Sequence, residues 1–180
     1  MLAFDTETTG LLKPDACELH LQPSITEIYI AKFDKDFDIV DEFKSFVNPG
    51  VPLPAMITKI TGITDEMLAD APSFVDIYDD LSDFVLGEDK IFAHNCAFDI
   101  GMLKNELKRI SKEFNFPWPK NQVCTVVESF PIKNRRLKLV QLHEIATGKK
   151  EIVGAHRAKT DVMAMIECIK WLKNEGFIKW

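Results

Sequence analysis

The chain opens on a short apolar run, Met1 to Phe4, and residues 1–6 read as a strand. Apolar alternation over 25–33 and 37–47 gives two further strands joined by a turn at Asp34-Lys35-Asp36. Between these and the first strand, residues 12–23 are polar, carry Pro14 and Pro23, and predict a loop. Asn48-Pro49-Gly50 ends the run, and the period then lengthens towards 3.6. Residues 55–70 predict short helical pieces around a turn at Gly62. Asp70-Ala71-Pro72-Ser73 opens a helix reaching about residue 86, with Phe74, Ile77, Leu81 and Phe84 on one face. Residues 90–93 read as a fourth strand. A helix over about 97–114 follows, with Ile100, Leu103, Leu107 and Ile110 inward and Lys104, Glu106, Lys108 and Arg109 between them. After the stiff loop Phe116-Pro117-Trp118-Pro119, residues 123–126 predict a fifth strand and 138–147 a helix ended by Gly148. The last helix spans about 158–174, its stripe being Val162, Met165, Ile166, Ile169 and Leu172. Three consecutive strands, then helices alternating with two more, indicate an α/β fold with a mixed sheet.

Composition adds bounds. At 180 residues with no repeat, linker or low-complexity run, one domain covering 1–180 is expected, with room for a single core. No apolar stretch reaches the length of a membrane span, which excludes a membrane partner, and Asp5 stands too near the initiator for a removable leader. Cys17, Cys96, Cys124 and Cys168 show no C-x-x-C spacing and read as reduced thiols in a cytoplasmic protein, Cys96 as packing rather than nucleophile. The net charge of −6 looks wrong for a nucleic-acid protein, but it is unevenly spread. Residues 1–103 hold six Lys and no Arg against 20 acids, a charge of −14, while residues 104–180 hold 16 Lys and Arg against eight acids, a charge of +8. Three basic clusters in the second half suit backbone phosphates as well as they suit a solvated face: Lys133/Arg135/Arg136/Lys138, Lys149/Lys150 and Arg157/Lys159.

The candidate chemistry begins in the first strand. Residues i and i+2 of a strand share a face, so Asp5 and Glu7 stand side by side. Like charges that close call for a compensating cation, and carboxylate oxygens suit Mg²⁺ or Mn²⁺. With 28 acids in the chain, the pair alone reads equally as a solvated strand edge. Two later segments carry further candidates: His94-Asn95-Cys96-Ala97-Phe98-Asp99, opening one helix, and His156-Arg157-Ala158-Lys159-Thr160-Asp161, opening the last. Taken singly, Asp99 and Asp161 are acids of the kind a helix dipole favours in its first turn, and His156 is a surface histidine on a loop.

Together these segments resemble the DEDDh branch of the DnaQ-like 3′–5′ exonucleases. The D-x-E-T-T-G motif of that family matches Asp5 to Gly10, H-N-x-x-F-D matches His94 to Asp99, and H-x-A-x-x-D matches His156 to Asp161. The I-x-G-I-T turn matches Ile60 to Thr64. The sister DEDDy branch has Tyr four residues before the last Asp, where this chain has Arg157. Two departures stand out: Thr61 where many relatives have His, and the bulky Tyr29 where small residues are frequent.

The resemblance implies a ribonuclease H-like fold, a five-stranded mixed sheet flanked by helices. It implies two Mg²⁺ (or Mn²⁺) about 3.5–4 Å apart, held by Asp5, Glu7, Asp99 and Asp161, with Asp5 bridging them and His156 as general base. It assigns substrate contacts to Thr8, Thr9, Gly10, Leu11, Thr61, Asn95 and Phe98, with Leu11 and Leu12 as an apolar wedge against the last bases, Phe98 as a stacking surface, and His94 and His143 as structural. The expected reaction releases nucleoside 5′-monophosphates from a DNA 3′ end. RNA 3′ ends are the alternative substrate, because contacts to the 2′-OH that would decide are not legible here. A non-catalytic nucleic-acid-binding module is the reading from another class. The chain stops soon after the last helix, which favours a free-standing nuclease, with a polymerase or replisome partner left open. Trp171 with residues 177–180 is expected to cap the core or form an interface.

Overall fold

The computed structural model describes residues 1–179 and orders its five strands β3-β2-β1-β4-β5. The strands are β1 (Leu2–Thr8), β2 (Ile25–Phe33), β3 (Ile39–Phe46), β4 (Lys90–Ala93) and β5 (Asn121–Cys124). β1, β2 and β3 pair antiparallel, and β4 lies parallel to both β1 and β5. The mixed five-stranded sheet is the one expected.

Alternation along β1 divides the core. Leu2 and Phe4 pack with α3 (Phe74–Val85) and α4 (Cys96–Arg109). Ala3 lies on the other face, with α8 (Ala158–Asn174), together with Tyr29, Ala31 and Phe92. The stripe of α8 is buried as its spacing required, with Val162, Ile169 and Leu172 fully enclosed. Short helices α1 (Ala55–Thr61) and α2 (Asp65–Leu68) flank Gly62, whose φ of 72° ends α1 in the left-handed region that glycine adopts freely. α7 (Leu139–Thr147) stops at Gly148 in the same way. Trp171 and Phe177 stack at 5.9 Å and Ile178 is buried, so this end caps the core; Trp180 lies outside the described residues. Among the described residues no helix is long and apolar enough to cross a membrane.

Four elements differ from expectation. β1 runs on to Thr8, because β2 continues beside it after β4 has ended. The third strand is trimmed to Ile39–Phe46. α4 stops at Arg109 rather than near 114: Ser111 turns left-handed (φ 57°) and the Lys112 amide returns to the Leu107 carbonyl at 2.8 Å. β5 occupies 121–124 rather than 123–126, and Thr125 and Val126 begin α5 (Thr125–Glu128), followed by α6 (Phe130–Lys133), which the pattern did not predict. Glu106, placed on the polar side of α4, is buried. It accepts the Ile25 amide at 2.9 Å and pairs with Arg109 at 2.8 Å. Arg109 in turn donates to the Leu19, Gln22 and Pro23 carbonyls, so loop 12–23, which includes a 3-10 turn at Leu19–Leu21, is tied to α4.

Candidate active site

The site forms where β1 outruns β4. Pairing between them is confined to Leu2↔Ile91 and Ala3↔Phe92; β4 then ends at Ala93, paired only with β5, and Asn95 turns left-handed (φ 68°) to start α4. The edge of β1 beyond Ala3 therefore has no strand beside it. Asp99, in the first turn of α4, fills that gap: its Oδ1 accepts the Thr6 amide at 3.1 Å and the Thr6 hydroxyl at 2.8 Å. On the face of β1 that carries Ala3, Asp5 and Glu7 point towards α8, which supplies Asp161. One oxygen from each of Asp5, Glu7 and Asp161 lies within 4.8 Å of the others. Asp99 is outside that trio but acts on Asp5 more strongly than any other acid does.

The cluster is electrostatically strained. Burial, then repulsion from Asp99, Asp161 and Glu7, pushes the Asp5 carboxyl well above the usual carboxylate range. Burial raises Glu7 to about 8, helped by Asp161 and Glu27. Asp99 and Asp161 are raised by burial as well, each partly countered by hydrogen bonds, from Thr6 and from the His156 amide respectively. Acids driven this way are poised for a divalent cation, whose charge would reverse the repulsion. The donor set of carboxylate oxygens fits Mg²⁺ or Mn²⁺.

His156 sits exposed on the loop before α8, with φ 64°. Its amide donates to Asp161 Oδ2 at 3.1 Å, so one acid both faces the cluster and holds the histidine loop. The next residue makes a second anchor. Arg157 Nε and Nη2 grip the two oxygens of Glu27 at 3.0 and 2.8 Å, and Glu27 also accepts the Ala158 amide at 3.3 Å. Glu27 is the cross-strand partner of Glu7, so Arg157 neutralises an acid that would otherwise repel the cluster. Neither Thr6 nor the Glu27–Arg157 pair was singled out from sequence for this role. The available signal was a lone acid in an otherwise apolar buried strand.

The candidate substrate contacts divide. Leu11 is 81% exposed, as a wedge requires. Leu12 packs on the core against Gly101, where an added Cβ would lie 2.6 Å from Leu12 Cδ1. Phe98 is half-buried and, like Leu12, packs on the core that α4 covers. Thr8 donates its hydroxyl to the Gly10 carbonyl at 2.7 Å, bracing the turn, while the Thr9 amide and hydroxyl are both occupied by Ser24. Asn95 accepts from Arg136 at 2.6 Å and so orients the loop. Thr61 is buried, its hydroxyl bonded to the Ile57 carbonyl and the Ile63 amide, so that side chain is spent within the α1 turn. His94 is held between Thr125 Oγ1 (2.8 Å) and the Leu137 carbonyl (3.1 Å), and burial lowers it to about 4, keeping it neutral. His143 is buried on Glu167. Both rings are bonded within the fold. Tyr29 is buried on the α8 face, its hydroxyl donating to Glu42. All four cysteines are free, and burial pushes the Cys96 thiol up to about 12, far from a nucleophile.

A family model described as Exonuclease (RNase_T) matches residues 2–169. The chain belongs to this exonuclease family. The chain is 36% identical over 169 residues to the DNA polymerase III PolC-type of Bacillus subtilis, covering 91% of this chain and 11% of that protein. It is 33% identical over 168 residues to the DNA polymerase III subunit epsilon of Treponema pallidum, covering 92% of this chain and 72% of that subunit. It thus spans about a tenth of the PolC-type relatives. Three solved structures share the fold. Exonuclease X in complex with 5′ overhanging duplex DNA has TM-score 0.69, 19% identity, and coverage of 99% and 93% of the two chains. The nuclease domain of 3′hExo, a DEDDh family member bound to rAMP, has 0.71, 15%, and 97% and 92%. Escherichia coli exonuclease I in complex with a dT13 oligonucleotide has 0.74, 20%, and 96% and 40%.

Proposed function

We propose that residues 1–180 form one exonuclease domain that removes nucleotides from the 3′ end of DNA, single-stranded or frayed, and releases nucleoside 5′-monophosphates. The convergence of Asp5, Glu7 and Asp161 within 4.8 Å carries this reading, because that cluster is stable in ionised form only around cations. Asp5, Glu7, Asp99 and Asp161 would hold two Mg²⁺, with Mn²⁺ as substitute. Bound there, the ions would acidify a water and offset charge on the phosphate.

The chain's own groups do the rest. Thr6 fixes one oxygen of Asp99 and leaves the other free to face the cluster. Asp161 and the Glu27–Arg157 pair set the loop that carries His156, whose imidazole takes the proton of the attacking water. Exposed Leu11 meets the terminal bases, and half-buried Phe98 offers the stacking surface. The similarity to PolC-type and epsilon proteins supports DNA as substrate and a replicative polymerase as partner.

The test is Mg²⁺-dependent digestion of matched DNA and RNA oligomers, labelled at the 5′ end, by wild type and Asp161→Ala. A ladder shortening from the 3′ end, faster on DNA and in wild type only, is expected. Retained binding without cleavage of either oligomer would refute the catalytic reading.

A further inference from the structure

The three basic clusters do not survive folding equally. Lys149 is paired with Glu167, Arg157 with Glu27 and Lys159 with Glu42. By contrast, Lys133, Arg135, Arg136 and Lys138 are all exposed, and among the described residues none is paired with a carboxylate. Arg135 and Arg136 bond only to neutral acceptors, Gln141 and Asn95 among them. From 121 to 140 the sole acid is Glu128.

Of these cations Arg136 lines an apolar cleft of about 290 Å³ at the C-terminal ends of β4 and β5, with Asn95, Ala97, Val126, Val127 and Phe130, while Lys133 lies one helical turn on from Phe130 in α6 and Arg135 and Lys138 follow in the chain. Val127 and Phe130 are 64% and 46% exposed there. Asn95 and Ala97 belong to the turn that delivers Asp99, so the cleft adjoins the carboxylate site. An exposed aromatic beside unneutralised cations is how single strands are held without regard to sequence: bases stack on the ring and phosphates meet the charges.

We infer that this shelf carries the unpaired strand leading to the carboxylate site, with a base on Phe130 and its phosphates on Lys133, Arg135 and Lys138. The strand's chemical identity rests on the nuclease reading above. Such a shelf gives grip on one strand while the acidic first half of the chain repels the rest of a duplex.

The test is fluorescence anisotropy of a labelled oligothymidylate with the full chain in EDTA, where nothing is cleaved. Phe130→Leu weakens binding roughly tenfold while Phe130→Tyr holds the wild-type value, because stacking needs a ring and not merely an apolar side chain. The Lys133→Gln/Arg135→Gln/Lys138→Gln variant lowers the slope of log affinity against log salt by about two. Thermal melts confirm that each variant is folded. Unchanged affinity and slope, or no wild-type binding, overturns the inference. Metal-dependent hydrolysis of a p-nitrophenyl ester of thymidine 5′-monophosphate, which has no upstream strand, is measured alongside. Its absence in wild type counts against the nuclease reading alone, and its presence with unaltered variant binding counts against the shelf alone.

Discussion

Replacing Glu7 by Gln should make the metal-free protein more stable, by an amount that grows with pH. The unfolded Glu7 titrates near 4.5 and the folded one near 8. Between those values the unfolded chain has released its proton and the folded chain keeps it, so stability falls as pH rises through the window and levels off above about 8. Unscreened, the shift corresponds to roughly 5 kcal/mol. Glu7 is only half-buried, so solvent screening cuts this to about 2–3 kcal/mol. For a chain of this size that is a difference of about 5–10 °C in Tm. Asp5, Asp99 and Asp161 are raised too and push in the same direction. His94 pulls the other way: its folded value near 4, against 6.5 unfolded, means that stability is lost as pH falls through that interval. The measurement is therefore a difference, Glu7→Gln against wild type, by thermal and urea denaturation in EDTA from about pH 5 to pH 8.5. The two proteins should nearly coincide at the acid end and separate as pH rises. Mg²⁺ should then raise the wild-type Tm at pH 8 more than that of Glu7→Gln, since a cation bound only by the folded state stabilises it. A constant difference across the pH range would refute the reasoning.

Three further outcomes follow from named contacts. Arg157→Met leaves Glu27 charged and unpaired opposite Glu7 and frees the start of α8, so it should cost about 1–3 kcal/mol in urea denaturation and lower turnover, with Arg157→Lys recovering only part because a single ammonium cannot span both oxygens. His156→Ala should lower kcat by about 10²–10⁴-fold while oligonucleotide affinity and the Mg²⁺-induced rise in Tm persist, since His156 is not among the acids that gather the cation. Gly101→Ala gains up to about 1 kcal/mol of helix propensity but must displace Leu12, so its Tm should move little while KM rises as the neighbouring Leu11 wedge shifts; an unchanged KM would remove Leu12 from the substrate path.

Sequence by itself determined what depends on local period and residue type. β2 over 25–33 was legible as a nearly continuous apolar run, buried on both faces, and α8 over 158–174 as an uninterrupted helical stripe. The candidates Asp5, Glu7, Asp99, His156 and Asp161 stood out as three short motifs, and folding brings oxygens of Asp5, Glu7 and Asp161 within 4.8 Å of one another. Tertiary structure decided what depends on a neighbour. Cys124-Thr125-Val126 has strand-like composition, but β4 ends at Ala93 opposite Cys124, so residue 125 has no ladder to join and the chain coils into α5. Ile110 and Phe114 continue the stripe of α4 in sequence, yet the left-handed Ser111 ends the helix and leaves Phe114 93% exposed. Glu106 became a buried acid because its partner is the amide of Ile25, 81 residues away. The Glu27–Arg157 grip joins residues 130 apart, and the choice of 133–138 as the unneutralised basic face was made by which glutamates folding brought to the other two clusters. A local pattern states which groups need a partner; only the packed chain supplies the partner, because the distances that set hydrogen bonds and charge pairs are fixed by elements far apart in sequence.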